Sequence, residues 1–207
     1  MEKLKKLKVN IGWKSIILIG VCVVLILIDL LTKIFEERYN WNFKVIPKLF
    51  EVSGIRNDGC AFGFLSEASW GQDFLISMTF ILLIVLVAVY IFLPERFLIL
   101  KISLSMIVAG AIGNLIDRLA FRQVRDFIVV KFFSDQVLYV CNFADVWITF
   151  GTVLAIIDIM FLNEWALIPL TKKAKEAQAK KKEEENKQIS ETNEEINSDK
   201  TDTDGNE

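Results

Sequence analysis

Residues Phe74 to Leu93 are twenty consecutive positions without a charge, and no other feature of the chain limits its fold so sharply. At about 1.5 Å of rise per residue, such a run makes a helix of roughly 30 Å, which matches the hydrocarbon thickness of a bilayer. Three further apolar runs, Ser15 to Leu31, Phe97 to Leu119 and Val146 to Leu162, are each interrupted by ionisable residues that a helix facing only lipid tolerates poorly. The hydrophobic residues, 53% of the chain, are gathered into these runs rather than alternating with polar ones. The expected fold class is therefore an all-α polytopic membrane protein with four transmembrane helices, over about 15–31, 74–93, 97–119 and 146–162. Between the first two spans, Trp41 to Leu65 combines aromatic and β-branched residues with Pro47, Gly54, Gly59 and Gly63. That composition predicts short strands and turns, a small β-rich extracytoplasmic platform.

The first span follows a basic stretch (Lys3, Lys5, Lys6, Lys8, Lys14) that resembles the start of a secretory signal. The chain then continues Asp29-Leu30-Leu31-Thr32-Lys33 with no small-x-small cleavage site, so the helix is expected to remain. With four crossings, these lysines, Arg96 and Lys101, and Lys172, Lys173 and Lys175 all fall on one side, which predicts that both termini are cytoplasmic. The segments at about 34–73 and 120–144 then face outward, although Lys44, Lys48, Arg122 and Lys131 weaken the bias. Residues 1–170 are expected to form the membrane domain and 171–207 a charged, disordered cytoplasmic tail. The tail holds 8 Lys and 11 Asp plus Glu of a total of 24 basic and 26 acidic residues, so the acidic balance of the chain belongs to it.

No histidine is present, which excludes His-dependent triads and His-ligated metal sites. The three cysteines are too few and too scattered for a disulfide scaffold. Cys22 suits a small buried role within a span. Cys60 and Cys141 both fall in outward segments and are free to pair, but nothing in their spacing requires it.

The remaining polar residues gather at one membrane face. Asp29 and Lys33 lie four residues apart at the outward end of span one, the spacing of an interfacial ion pair. In span three, Gly110, Asn114 and Arg118 recur every four residues with Asp117 beside them, so a small residue and three polar groups share one stripe. Such a stripe serves either a packing network or a site. Asp126 follows just beyond span three, in Val124-Arg125-Asp126-Phe127, and Asp145 opens span four, in Asn142-Phe143-Ala144-Asp145. Taken alone, Asp145 has the ordinary role of a helix-start acid. Two carboxylates at adjacent span ends allow more: held close, they cannot both ionise easily, so one keeps a proton while the other acts as base toward water.

These blocks, with Asn57-Asp58-Gly59-Cys60-Ala61-Phe62-Gly63, resemble in order those of the bacterial lipoprotein signal peptidase (signal peptidase II) family, over most of residues 15–162. The resemblance implies that Asp126 and Asp145 are the catalytic pair of an aspartic endopeptidase. It also implies that Asp29, Lys33, Asn57, Gly59, Asn114, Arg118 and Asn142 surround the pocket, with Asp117 supporting Arg118. The implied substrate is a diacylglyceryl-modified prolipoprotein, cut at the outer face of the cytoplasmic membrane without metal or cofactor. The implied partners are that substrate and membrane lipid, with no nucleic acid, and a monomer is expected. Cys60, Ala109 and Cys141 depart from the family's usual alanine, glycine and phenylalanine, and none of them removes a catalytic group.

Two rival readings are weaker. An ion-coupled carrier or channel also uses intramembrane Asp, Arg and Lys, but it needs polar residues through the membrane depth, and span two offers only Ser77 and Thr79. A Ser-Lys signal peptidase needs a serine beside a lysine, and Ser53, Ser66 and Ser69 have no such setting.

Overall fold

The computed structural model describes residues 9–59, 70–133, 136–163, 166–172, 174–180, 182–183 and 186–187. Among the described residues, four helices are long and apolar enough to cross a membrane: α1 (Trp13–Tyr39), α2 (Gly71–Phe92), α3 (Leu98–Phe121) and α4 (Phe143–Ile157), the last extended by a π-helical turn, Asp158–Leu162. Four strands accompany them: β1 (Asn42–Ile46), β2 (Phe50–Asn57), β3 (Val124–Lys131) and β4 (Val137–Cys141).

α1 is polar inside and apolar outside, whereas α2 and α3 also bury an apolar cluster of Tyr90, Leu93, Phe97 and Leu104. The buried residues of α1 are Ser15, Asp29, Lys33 and Glu36, whereas Ile16, Ile17, Val21 and Leu27 face outward. Lipid is as apolar as any protein core, so close backbone approach and polar contacts hold the bundle instead. α3 is the central helix, and 56% of its most apolar stretch is buried. Small residues on it make the approach possible. A Cβ on Gly113 would stand 2.5 Å from the Asp29 carboxylate of α1, and one on Gly110 would collide with the Ala144 carbonyl of α4. From the α4 side, a Cβ on Gly151 would stand 2.8 Å from the Ser103 carbonyl.

The all-α expectation is corrected. The strands form one antiparallel sheet in the order β1-β2-β3-β4, and half of it comes from the segment after α3 rather than from the segment between the first two helices. β3 is an inner strand buried at each of its first six residues, so it lacks the alternation by which a half-exposed strand shows itself in sequence. The expected span limits also shift. α1 runs eight residues beyond Leu31, because Lys33 and Glu36 bury their charges against protein rather than lipid. Lys101 is no cytoplasmic surface charge: it lies in α3 and is fully buried.

That lysine belongs to a clasp at the end of the bundle away from the sheet. Its Nζ donates to the Asn10 carbonyl (2.7 Å), to Ser15 Oγ (2.8 Å) and to Glu95 Oε1 (3.1 Å), and it lies 4.9 Å from the centre of the Tyr90 ring. Ser15 Oγ in turn donates to Glu95, and the Gly12 N–H donates to the same carboxylate at 3.0 Å. A serine and a lysine therefore do meet in this chain, both fully buried, in a cluster that joins the start of α1 to the α2–α3 turn through the partly exposed Glu95.

Residues up to Ala155 form one compact unit and those from Ile156 a second. In the second, Asp158 is buried and accepts from Asn163 Nδ2 at 3.0 Å, and 174–180 are helical. The rest of the expected tail beyond 187, Cys60 and the remainder of the expected platform to Leu65 lie outside the described residues.

Candidate active site

Asp126 is the third residue of β3, paired across the sheet with Ile55, and is 1% exposed. The chain reaches it directly from α3 through Arg122, which holds the left-handed conformation (φ 61°) that ends the helix. Asp145 is the third residue of α4, and Asn142 is the residue just before that helix. The two form a reciprocal cap. Asn142 Oδ1 accepts the Asp145 N–H (3.1 Å), and the Asn142 N–H donates to Asp145 Oδ2 (3.2 Å).

The Asn142 side-chain amide is left to do something else. Its Nδ2 donates to Asp126 Oδ1 at 2.6 Å and to Asn114 Oδ1 at 3.0 Å. One fully buried asparagine thus holds both carboxylates, Asp145 through its backbone and Asp126 through its side chain. Each acid has a second donor: Asn57 Nδ2 to Asp126 Oδ2 (2.9 Å) and Asn114 Nδ2 to Asp145 Oδ1 (2.7 Å).

Behind the acids, Lys33 Nζ meets Asp29 (2.7 Å), Asn114 Oδ1 (3.1 Å) and Asp117 (3.3 Å), with all three charged groups fully buried. Asp29 Oδ1 accepts the Ala144 N–H (2.9 Å), which fixes the start of α4 from α1. At the mouth of the sheet, Gly59 N–H donates to Asn57 Oδ1 (3.0 Å), and Arg118 Nη2 donates to the Gly59 carbonyl (3.3 Å). All ten residues singled out in the sequence are thereby linked into one network.

Asp117 differs from expectation. Its carboxylate serves Lys33 and Arg125 rather than Arg118: Arg125 Nη2 and Nε reach Asp117 Oδ1 at 2.6 and 3.2 Å, and the Arg125 N–H reaches Oδ2 at 3.0 Å. Arg125 and its second partner, Glu37, were not among the sequence candidates. The available signal was that Glu37 continues the four-residue stripe of Asp29 and Lys33, and that Arg125 adjoins Asp126.

Burial pushes the Asp126 carboxyl up to about 6, with the Asp145 charge adding to the shift and the Asn57 and Asn142 amides opposing it. Asp126 therefore keeps a proton to a higher pH than an ordinary carboxylate. Cys141, next to Asn142, is pushed up to about 12 by burial and by the two nearby acids, so it remains a thiol and is no thiolate nucleophile. The chemistry open to the site is that of two carboxylates held by fixed amide donors.

The sequence profile of the family described as "Signal peptidase (SPase) II" matches residues 21–161. The chain is 40% identical over 139 residues to a "Lipoprotein signal peptidase" of Clostridium tetani (strain Massachusetts / E88), covering 65% of this chain and 86% of that protein. It is 33% identical over 153 residues to one of Acinetobacter baumannii (strain SDF), covering 72% and 86%. A solved structure described as "Bacterial membrane enzyme structure by the in meso method at 2.3 A resolution" superposes with a TM-score of 0.60 at 30% identity, covering 74% of this chain and 91% of that one. A match that begins within α1 and ends in the last turn of the fourth helix, together with relatives similar over most of their own length, establishes that this chain belongs to the signal peptidase II family.

Proposed function

We propose that the chain is an aspartic endopeptidase of the cytoplasmic membrane that removes signal peptides from diacylglyceryl-modified prolipoproteins, with Asp126 and Asp145 as its catalytic pair. The observation that carries this reading is the grip of Asn142 on both carboxylates. A dyad needs its acids close enough that they share a proton and fixed enough to face one water.

In the step proposed, the ionised carboxylate takes a proton from water as the oxygen adds to the scissile carbonyl carbon. The protonated one hydrogen-bonds that carbonyl and then, as the C–N bond breaks, a proton passes to the leaving amine. Asn57, Asn114 and Asn142 keep the acids oriented, and Lys33 offsets part of the negative charge behind them. Asp29, Asp117, Gly59 and Arg118 act as supports at one remove. The basic residues near the span ends favour cytoplasmic termini and an extracytoplasmic sheet, the side on which a translocated substrate presents its cleavage point.

The purified chain, given a diacylglyceryl-modified prolipoprotein in detergent, is expected to release a product whose new N-terminus is the lipidated cysteine, identified by mass spectrometry. Turnover should be indifferent to chelators and to serine-directed reagents. Equal cleavage of the unmodified precursor, or none of either, contradicts the substrate assignment.

A further inference from the structure

Arg125 is 5% exposed and is gripped from several directions. Asp117, on the rigid central helix, holds both its backbone N–H and its guanidinium. Nη1 donates to Glu37 Oε2 at 3.1 Å, and the guanidinium carbon lies 4.7 Å from the centre of the Phe121 ring. The Arg125 carbonyl accepts a long bond, 3.4 Å, from the same Asn142 amide that holds Asp126. Glu37, Arg125, Asp117, Lys33 and Asp29 alternate in charge from the solvent edge to the start of α4, so each buried charge has an opposite neighbour.

The sheet alone constrains Asp126 from one side. β2 and β3 pair regularly from Asn57↔Val124 to Ile55↔Asp126, but the register shifts immediately afterwards, between Ile55 and Val52. A bulge frees a strand locally, and this one falls just past Asp126. The missing constraint is supplied at the preceding residue, where two atoms of one carboxylate fix the strand's N–H and its side chain to α3.

We propose that Arg125, braced by Asp117 and Glu37, is a positioning residue that sets the direction of the Asp126 carboxylate. The proposal rests on the reading of Asp126 and Asp145 as the dyad. A planar fork suits the task because it spans Asp117 and Glu37 at once in a fixed plane, which the single ammonium of lysine cannot do.

The test is steady-state cleavage of a diacylglyceryl prolipoprotein by monodisperse full-length R125M and R125K beside wild type and D126N. Misplacing a catalytic group by about 1 Å can cost on the order of a hundredfold, so R125M is expected to lower kcat at least about tenfold with KM within about threefold. R125K keeps the charge but not the fork, and should recover part of that loss without reaching wild type. A kcat for folded R125M within about threefold of wild type, with only a lower Tm, overturns the positioning role. Should R125M not fold, R125K decides: a kcat equal to wild type shows that charge alone is needed and overturns the proposal. Turnover by D126N overturns the dyad itself, a result distinct from normal turnover by R125M beside an inactive D126N.

Discussion

At the residue scale, the decisive side chain is Asn142, which caps α4 through Oδ1 and holds Asp126 through Nδ2. In N142A the backbone bond to Asp145 survives while Asp126 and Asn114 each lose a donor, so kcat should fall by about tenfold to a hundredfold with KM little changed. Asp126 also makes stability depend on pH. Its carboxyl binds a proton more tightly in the folded protein than in the unfolded chain, so wild type loses stability as pH rises from the ordinary carboxylate range, near 3.8, through about 6. D126N lacks this pH dependence. Thermal unfolding in detergent at several pH values should therefore show the difference between wild type and D126N shifting in favour of wild type as pH falls from about 7 to about 4. The two acids and the capping asparagine were legible in the sequence because they sit at span ends in recognisable blocks. The Asp117–Arg125 grip was not, because the resemblance assigned Asp117 to Arg118, and only the turn at Arg122 brings Arg125 back over α3.

At the scale of elements, the four helices were legible from apolar run length, since the membrane leaves few alternatives for such runs. Their limits were less so: a buried Lys33 or Lys101 reads in sequence like a charge that ends a span. The inner strand β3 was hidden for the opposite reason, its burial on both faces removing the period-two pattern. The small residues of α3 carry the element-level prediction. G113A would place a methyl 2.5 Å from Asp29 and 3.4 Å from the Ala144 side chain. It is expected to cost about 1–3 kcal/mol and to lower kcat, because Asp29 fixes the start of α4. G20A, which meets nothing within 4 Å on the outer surface of α1, should leave both stability and turnover near wild type. Unfolding temperature and cleavage rate measured on the same preparations separate the two variants.

At the scale of the whole membrane unit, polar groups collect at its two ends and apolar surface lies between. One end carries the sheet and the acids; the other carries the Lys101–Glu95–Ser15 clasp. Along α1, Ser15 of the clasp and Lys33 behind the acids are separated by about 27 Å at roughly 1.5 Å per residue. The ends are therefore separable by mutation. Hydrogen bonds from Ser15 and Gly12, with Lys101 adding, hold the Glu95 carboxyl at about 2, so its contribution to stability is complete above the ordinary carboxylate range and is lost as pH falls through about 2. E95Q is expected to lower the unfolding temperature at neutral pH while leaving kcat near wild type. The polarity at the sheet end serves, under the proposed function, an Asp126 and Asp145 that cut as a pair. The decisive measurement is single-turnover cleavage of a diacylglyceryl prolipoprotein by D126N and D145N, each verified as folded and membrane-inserted. Both variants are expected to lose cleavage by about a thousandfold or more, each alone as severely as the two together, as groups acting in one step do. Near-normal turnover by either inserted variant would contradict the pairing.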